Sequence, residues 1–161
     1  RTYTWTRRGQ PPKVKPSGKR QGSTVFGVMA SCTGRLFSQG QEGRLNSATY
    51  ITFLTRVLEH TTQYIVLIQD GAKYHTSAET KAFFAQQTAR LHVFQLPTYS
   101  PDYNPIEKLW KKLKQQDTHL HYFPTLEALT EKVEQALLKF AHAPAEVLAL
   151  CSLPTELAKA A

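Results

Sequence analysis

Residues 97–114 read PTYSPDYNPIEKLWKKLK. Pro97, Pro101 and Pro105 hold the first half of this stretch out of helix. Asn104 then reads as the cap of a helix whose first position is Pro105, so Glu107 falls in the first turn. Ile106, Leu109, Trp110 and Leu113 recur at helical spacing and predict an apolar stripe that anchors this helix to a core. A carboxylate is thereby presented at a helix start by a packed element. A second acid precedes it at Asp70, with thirty-six residues between the two. Tyr64 to Ile68 is a short, nearly continuous apolar run of the kind a buried strand shows, closed by Gln69-Asp70-Gly71. Asp70 therefore stands at a strand's C-terminal end, the edge where open α/β sheets bind ligands, and Gly71 is read as the residue that lets the chain turn tightly away.

Two hard oxygen donors of this kind suit Mg²⁺ or Mn²⁺, which keep waters and bridge to phosphate oxygens. Each acid also has a plainer reading. A lone strand-end Asp caps the turn that follows it. A lone helix-start Glu is favoured by the helix dipole and pairs with a Lys four residues on, here Lys111.

The segments LIQDGAKYHTS (67–77) and LPTYSPDYNPIEKLWKKLK (96–114) together resemble the catalytic domain of a DDE transposase, in the insertion-sequence branch of the mariner-like superfamily. In that family the second acid ends a strand and is followed by a His, as Asp70 is by His75. The third acid lies in a Ser-Pro-acid-x-Asn-Pro-Ile-Glu block, as Glu107 does. The likeness extends more loosely from about Trp5 to about Lys132. It implies an α/β, RNase H-like mixed sheet with flanking helices, and metal-dependent DNA strand cleavage and strand transfer. It assigns Asp70 and Glu107 as catalytic metal ligands for two Mg²⁺ or Mn²⁺ ions in the intact enzyme. His75 and Asn104 are candidate supporting residues beside the ligands, though a turn His accounts for the first equally well and a helix cap is the better reading of the second. Gly71 departs from the family, which more often has Asn there.

The first acid of the family's triad should lie on an earlier strand, yet no Asp occurs in residues 1–69, and the only acids there are Glu42 and Glu59. Neither falls on an expected strand. The expectation is an N-terminally truncated domain lacking its first strand. Two alternatives follow from the same absence. One is a non-catalytic DNA-binding or dimerising remnant. The other is a different RNase H-like nuclease, which would need a complete acid set within these 161 residues.

Composition sets the frame: 41% hydrophobic and 11% aromatic residues provide for a packed core, which excludes a disordered tail. The net charge of +8 is uneven, with seven Lys or Arg and no acid in the first twenty residues. Such a patch attracts phosphate, although a solvated arm with no partner would look the same. Candidate DNA contacts are Trp5, Arg7, Arg8, Lys13, Lys15, Lys19 and Arg20 in that arm, and Lys108, Lys111 and Lys112 on the helix after Glu107. Trp5 could stack on a base. The partners implied are transposon-end and target DNA and a second copy of the chain. Cys32 and Cys151, far apart in sequence, read as free thiols in a reducing compartment, and the resemblance implies the bacterial cytoplasm at the nucleoid. No apolar run of membrane-spanning length occurs. His119 and His121 lack further ligands at zinc spacing.

The expected organisation is a basic, Pro-rich arm over 1–22, a partial catalytic core over 23–122 and C-terminal helices over 123–161. Within the core a hairpin is expected over Ser23 to Ala30 and Arg35 to Ser38, turning at Thr33-Gly34. A helix capped at Asn46 or Ser47 follows, with Tyr50, Ile51, Leu54, Val57 and Leu58 as its stripe. Next come the strand ending at Asp70, a helix opened by Ser77, and a strand over Leu91 to Leu96, which implies a right-handed crossover and local parallel pairing. Thr125 caps a helix through about Phe140, and shorter helical pieces are expected around Pro144 and Pro154.

Overall fold

The computed structural model describes residues 22, 24–97, 100 and 103–151. The arm residues Trp5, Arg7, Arg8, Lys13, Lys15, Lys19 and Arg20 lie outside them, as does the helical piece expected at Pro154. The elements are β1 (Thr24–Met29), β2 (Leu36–Gln41), α1 (Ser47–Glu59), β3 (Ile65–Gln69), α2 (Ala78–Gln86), β4 (Leu91–Gln95), α3 (Pro105–Leu113), a π-helical turn (Lys114–Thr118), α4 (Leu126–Ala141) and α5 (Pro144–Cys151). Among the described residues, β1 pairs with β2 and β3 pairs with β4. The second pair is parallel, in the register Ile65↔Leu91 to Gln69↔Gln95.

The chain divides into two compact units. The first comprises Thr24–Met29 and Phe37–Glu107; the second takes in Ala30–Leu36 and the chain from Lys108 on. In the first unit α1 is fixed at its start by a reciprocal cap. Asn46 accepts from the Thr49 N–H at 3.0 Å, while the Asn46 N–H donates to the Thr49 hydroxyl at 3.1 Å. At the other end the Arg90 guanidinium donates to the carbonyls of Leu58 and Thr61, tying the helix's C-terminal end to the start of β4. Between these ends α1 lays Tyr50, Phe53, Leu54 and Val57 against Phe26, Leu67 and Leu91. Phe53, missing from the expected stripe, stacks on Phe26 with ring centres 5.2 Å apart. Each of these side chains is withdrawn from water, which stabilises the unit by about 1.5–3 kcal/mol per fully buried large residue.

One expectation is corrected here. β3 is not buried on both faces: Leu67 and the polar Gln69 are buried, whereas Val66 and Ile68 are each 57% exposed. Successive strand residues point to opposite faces, and the α1 core takes only the face that carries Leu67. At Gly71 the backbone is not left-handed, but a Cβ there would lie 3.2 Å from the Gln95 amide nitrogen, closer than ordinary contact. Asp70 shapes the same turn, its Oδ1 accepting the Ala72 N–H at 3.0 Å.

In the second unit α4 is capped by Thr125 Oγ1, which accepts from Ala128 N–H at 3.2 Å. It packs on α5 and on the π-helical turn. Leu109, Leu113, Val133, Ala136, Leu137, Phe140 and Val147 are buried. The π-helical turn, absent from the sequence expectation, buries Asp117 between the ammonium groups of Lys132 at 3.1 Å and Lys139 at 3.4 Å. Burial opposes ionisation of Asp117, but the two lysines outweigh it and hold its pKa below the usual 3.8.

Candidate active site

Asp70 follows the last residue of β3, and its carboxylate is organised by its own turn. Oδ1 accepts the Ala72 N–H and, at 2.7 Å, the Nδ1–H of His75. Nδ1 must be the donor here, because an ionised carboxylate only accepts. Two donors converge on one oxygen, so Oδ2 remains for a further partner, and the Asp70 side chain is 53% exposed. His75 is held from behind. Its ring lies 4.4 Å from that of Tyr50 and 4.3 Å from that of Tyr74, and its own N–H donates to the Ala72 carbonyl at 2.9 Å.

Glu107 stands in the first turn of α3, where its N–H donates to the Asn104 carbonyl at 3.0 Å. Its side chain is exposed, and among the described residues the ion pair formed from α3 is that of Lys112 with Glu146. Tyr74, four residues after Asp70, is half-buried. Burial raises the pKa of that phenol first, and the charges of Asp70 and then Glu107 raise it further. The phenol therefore stays protonated, a neutral group. Tyr74 is a residue the sequence reading missed, although its place between Asp70 and His75 was the available signal.

Of the candidate site residues, Asp70, His75, Asn104 and Glu107 fall in the first unit. Lys108 and Lys111 are exposed on α3. Lys112 is half-buried, 3.1 Å from the Glu146 carboxylate and 5.7 Å from the centre of the Phe140 ring. Cys32 and Cys151 are free thiols. Among the described residues, no helix is long and apolar enough to cross a membrane.

A parallel strand pair packed on a helix, with an acid at the strand end and a second at a helix start, makes this an α/β domain, and its likeness to solved structures places it in the RNase H-like fold class. Its fold matches that of a Mos1 transposase paired-end complex with left transposon end, at TM-score 0.58 and 16% identity over 94% of this chain and 50% of that one. It likewise matches the Mos1 transposase catalytic domain solved with raltegravir and Mg, at TM-score 0.55 and 14% identity over 82% and 76%. The model of the DDE superfamily endonuclease family covers residues 1–130, and the chain belongs to that family. It is 30% identical over 131 residues to the insertion element IS630 uncharacterized 39 kDa protein of Shigella sonnei, covering 80% of this chain and 38% of that protein. It is also 36% identical over 59 residues to the transposable element Tc1 transposase of Caenorhabditis elegans, covering 37% and 21%. The chain thus spans well under half the length of these two curated relatives.

Proposed function

We propose that this chain is part of a transposase catalytic domain, acting in metal-dependent DNA strand cleavage and strand transfer, with Asp70 and Glu107 as metal ligands. What supports this reading is the match of the DDE superfamily endonuclease family to residues 1–130, together with the placement of Asp70 just after β3 and of Glu107 in the first turn of α3. The donor chemistry fits: both are carboxylates, and Oδ2 of Asp70 is free of the bonds that fix Oδ1. Mg²⁺ or Mn²⁺, two ions in the intact enzyme, is the proposed cofactor, in line with Mos1 structures solved with Mg and with Mn. Bound divalent metal supplies charge stabilisation for the entering and leaving oxygens of an in-line displacement at phosphorus. The chain's own residues hold the ligands still: the Ala72 N–H and His75 fix Asp70, and the first turn of α3 fixes Glu107.

The proposed partners are transposon-end and target DNA, and a second copy of the chain; the proposed compartment is the bacterial cytoplasm at the nucleoid. In this reading residues 1–22 are a DNA-contacting arm, 23–122 the catalytic core and 123–161 a helical extension. Lys108 and Lys111 offer exposed charge to the DNA backbone, whereas Lys112 is engaged by Glu146. The test is plasmid nicking in Mg²⁺ by the natural protein that contains this chain. Glu107→Gln and Asp70→Asn are each expected to abolish nicking with an unchanged circular dichroism spectrum. Full nicking by either variant would remove that residue from the site. The net charge of +8 favours a second reading, a DNA-binding remnant without catalysis. It predicts salt-sensitive binding and no cleavage by the unaltered protein.

A further inference from the structure

Beneath Asp70 lies a buried polar chain that the ligand reading does not use. The Tyr50 hydroxyl donates to Gln69 Oε1 at 2.7 Å, and Gln69 Nε2 donates to the His75 carbonyl at 3.4 Å. Tyr50 and Gln69 are only 4% and 6% exposed. A polar side chain buried in an apolar core is costly unless its hydrogen bonds are made, and removing one partner leaves the other unsatisfied. Gln69 lies on the inward face of β3 with Leu67, so this cost is met where a Leu or Val would have packed without it. Both ends of its amide are used, which fixes its orientation: oxygen to Tyr50, nitrogen to His75.

The same tyrosine also packs its ring against the His75 imidazole. Backbone and ring of His75 are therefore held by one buried pair. His75 in turn holds Oδ1 of Asp70 at 2.7 Å, and its Nδ1 lies 3.2 Å from the Asp70 carbonyl oxygen. From the other side the Thr80 hydroxyl, fully buried, donates to the Tyr74 carbonyl at 2.7 Å and closes the loop that carries both Tyr74 and His75.

We propose that Tyr50 and Gln69 are positioning residues that act through His75, locking Oδ1 of Asp70 so that Oδ2 is presented to a divalent cation. The inference rests on Asp70 being a metal ligand. Side chains that orient a ligand from behind weaken metal binding by about 10–100-fold when removed. Ligand geometry is fixed from the α1 core rather than from the exposed loop.

The experiment measures Mn²⁺ binding to the full chain by electron paramagnetic resonance, with the tautomer of His75 read from its imidazole ¹⁵N shifts. The unaltered chain is expected to bind Mn²⁺, with His75 protonated on Nδ1, and Asp70→Asn is expected to lose that binding. Gln69→Leu and His75→Ala are each expected to weaken binding about tenfold, at the low end for such residues. His75→Asn, whose amide N–H can replace the imidazole donor, is expected to recover most of the loss. Tyr50→Phe keeps the ring and the core, and is expected to weaken binding less than Gln69→Leu while letting the His75 tautomers mix. If Asp70→Asn leaves Mn²⁺ binding unchanged, or the unaltered chain binds none, Asp70 is not the ligand and the inference falls with that reading. If Asp70→Asn abolishes binding while Gln69→Leu, Tyr50→Phe and His75→Ala leave it unchanged, the ligand stands and the positioning role is overturned.

Discussion

Gly34 and Gly43 share a left-handed backbone, with φ of 70° and 77°, but differ in surroundings. A Cβ at Gly34 would lie 2.1 Å from the Pro144 carbonyl oxygen, 2.8 Å from its carbon and 3.0 Å from Leu148 Cγ. A Cβ at Gly43 would meet nothing within 4 Å. Gly43→Ala should therefore cost only the conformational penalty, about 1–2 kcal/mol. Gly34→Ala carries that penalty as well as a clash with backbone, which no rotamer change relieves. An ordinary non-bonded separation is about 3.5 Å, so the start of α5 must retreat by more than about 1 Å. That retreat loosens Val147, which is fully buried. Loss of about half of such a residue's burial, worth about 1.5–3 kcal/mol in full, brings the total to about 2–3.5 kcal/mol. Urea unfolding followed by circular dichroism is the assay, with equal slopes required so that midpoints compare stability. Gly34→Ala should lower the midpoint about twice as far as Gly43→Ala. Equal shifts for the two variants would refute the seating of the hairpin turn on α5.

Asp117→Asn should destabilise the chain by about 2 kcal/mol at pH 7, the range for a hydrogen bond to a charged partner. Because the folded pKa of Asp117 is depressed, its contribution is present above the unfolded value of 3.8 and is lost as pH falls through the folded value. The gap between the unaltered chain and Asp117→Asn should therefore close in thermal melts taken well below pH 3.8; a gap independent of pH would show that the two lysines do not hold the charge. Replacing both Lys108 and Lys111 by Ala should reduce the slope of log affinity against log salt for DNA by up to about 1.8, measured by fluorescence anisotropy, and an unchanged slope would place DNA elsewhere. If, as proposed, Asp70 and Glu107 are two of three catalytic acids, the chain by itself is expected to leave supercoiled plasmid intact in Mg²⁺. Nicking that disappears in Asp70→Ala would show that two suffice.

Much of the site was legible because its signals are local. The Pro-punctuated run before Pro105 and the apolar run before Gln69 place Glu107 and Asp70 at element ends whatever the rest of the chain does, and the caps at Asn46, Ser77 and Thr125 satisfy helix-start N–H groups within three residues. What joins the site together is not local. Gln69 looks like an ordinary polar residue closing an apolar strand, and only the packing of β3 on α1 makes it a buried partner of Tyr50, nineteen residues earlier. The same packing decides which face of β3 is covered, so that Val66 and Ile68 stay exposed although the run reads as uniformly buried. The burial of Asp117 between Lys132 and Lys139 likewise depends on how α4 lies against the π-helical turn. Sequence determined the elements and the two acids, because propensity, capping and periodicity act over a few residues. Tertiary structure alone decided which polar groups are buried and whom they meet, because burial is a property of surfaces brought together across the chain.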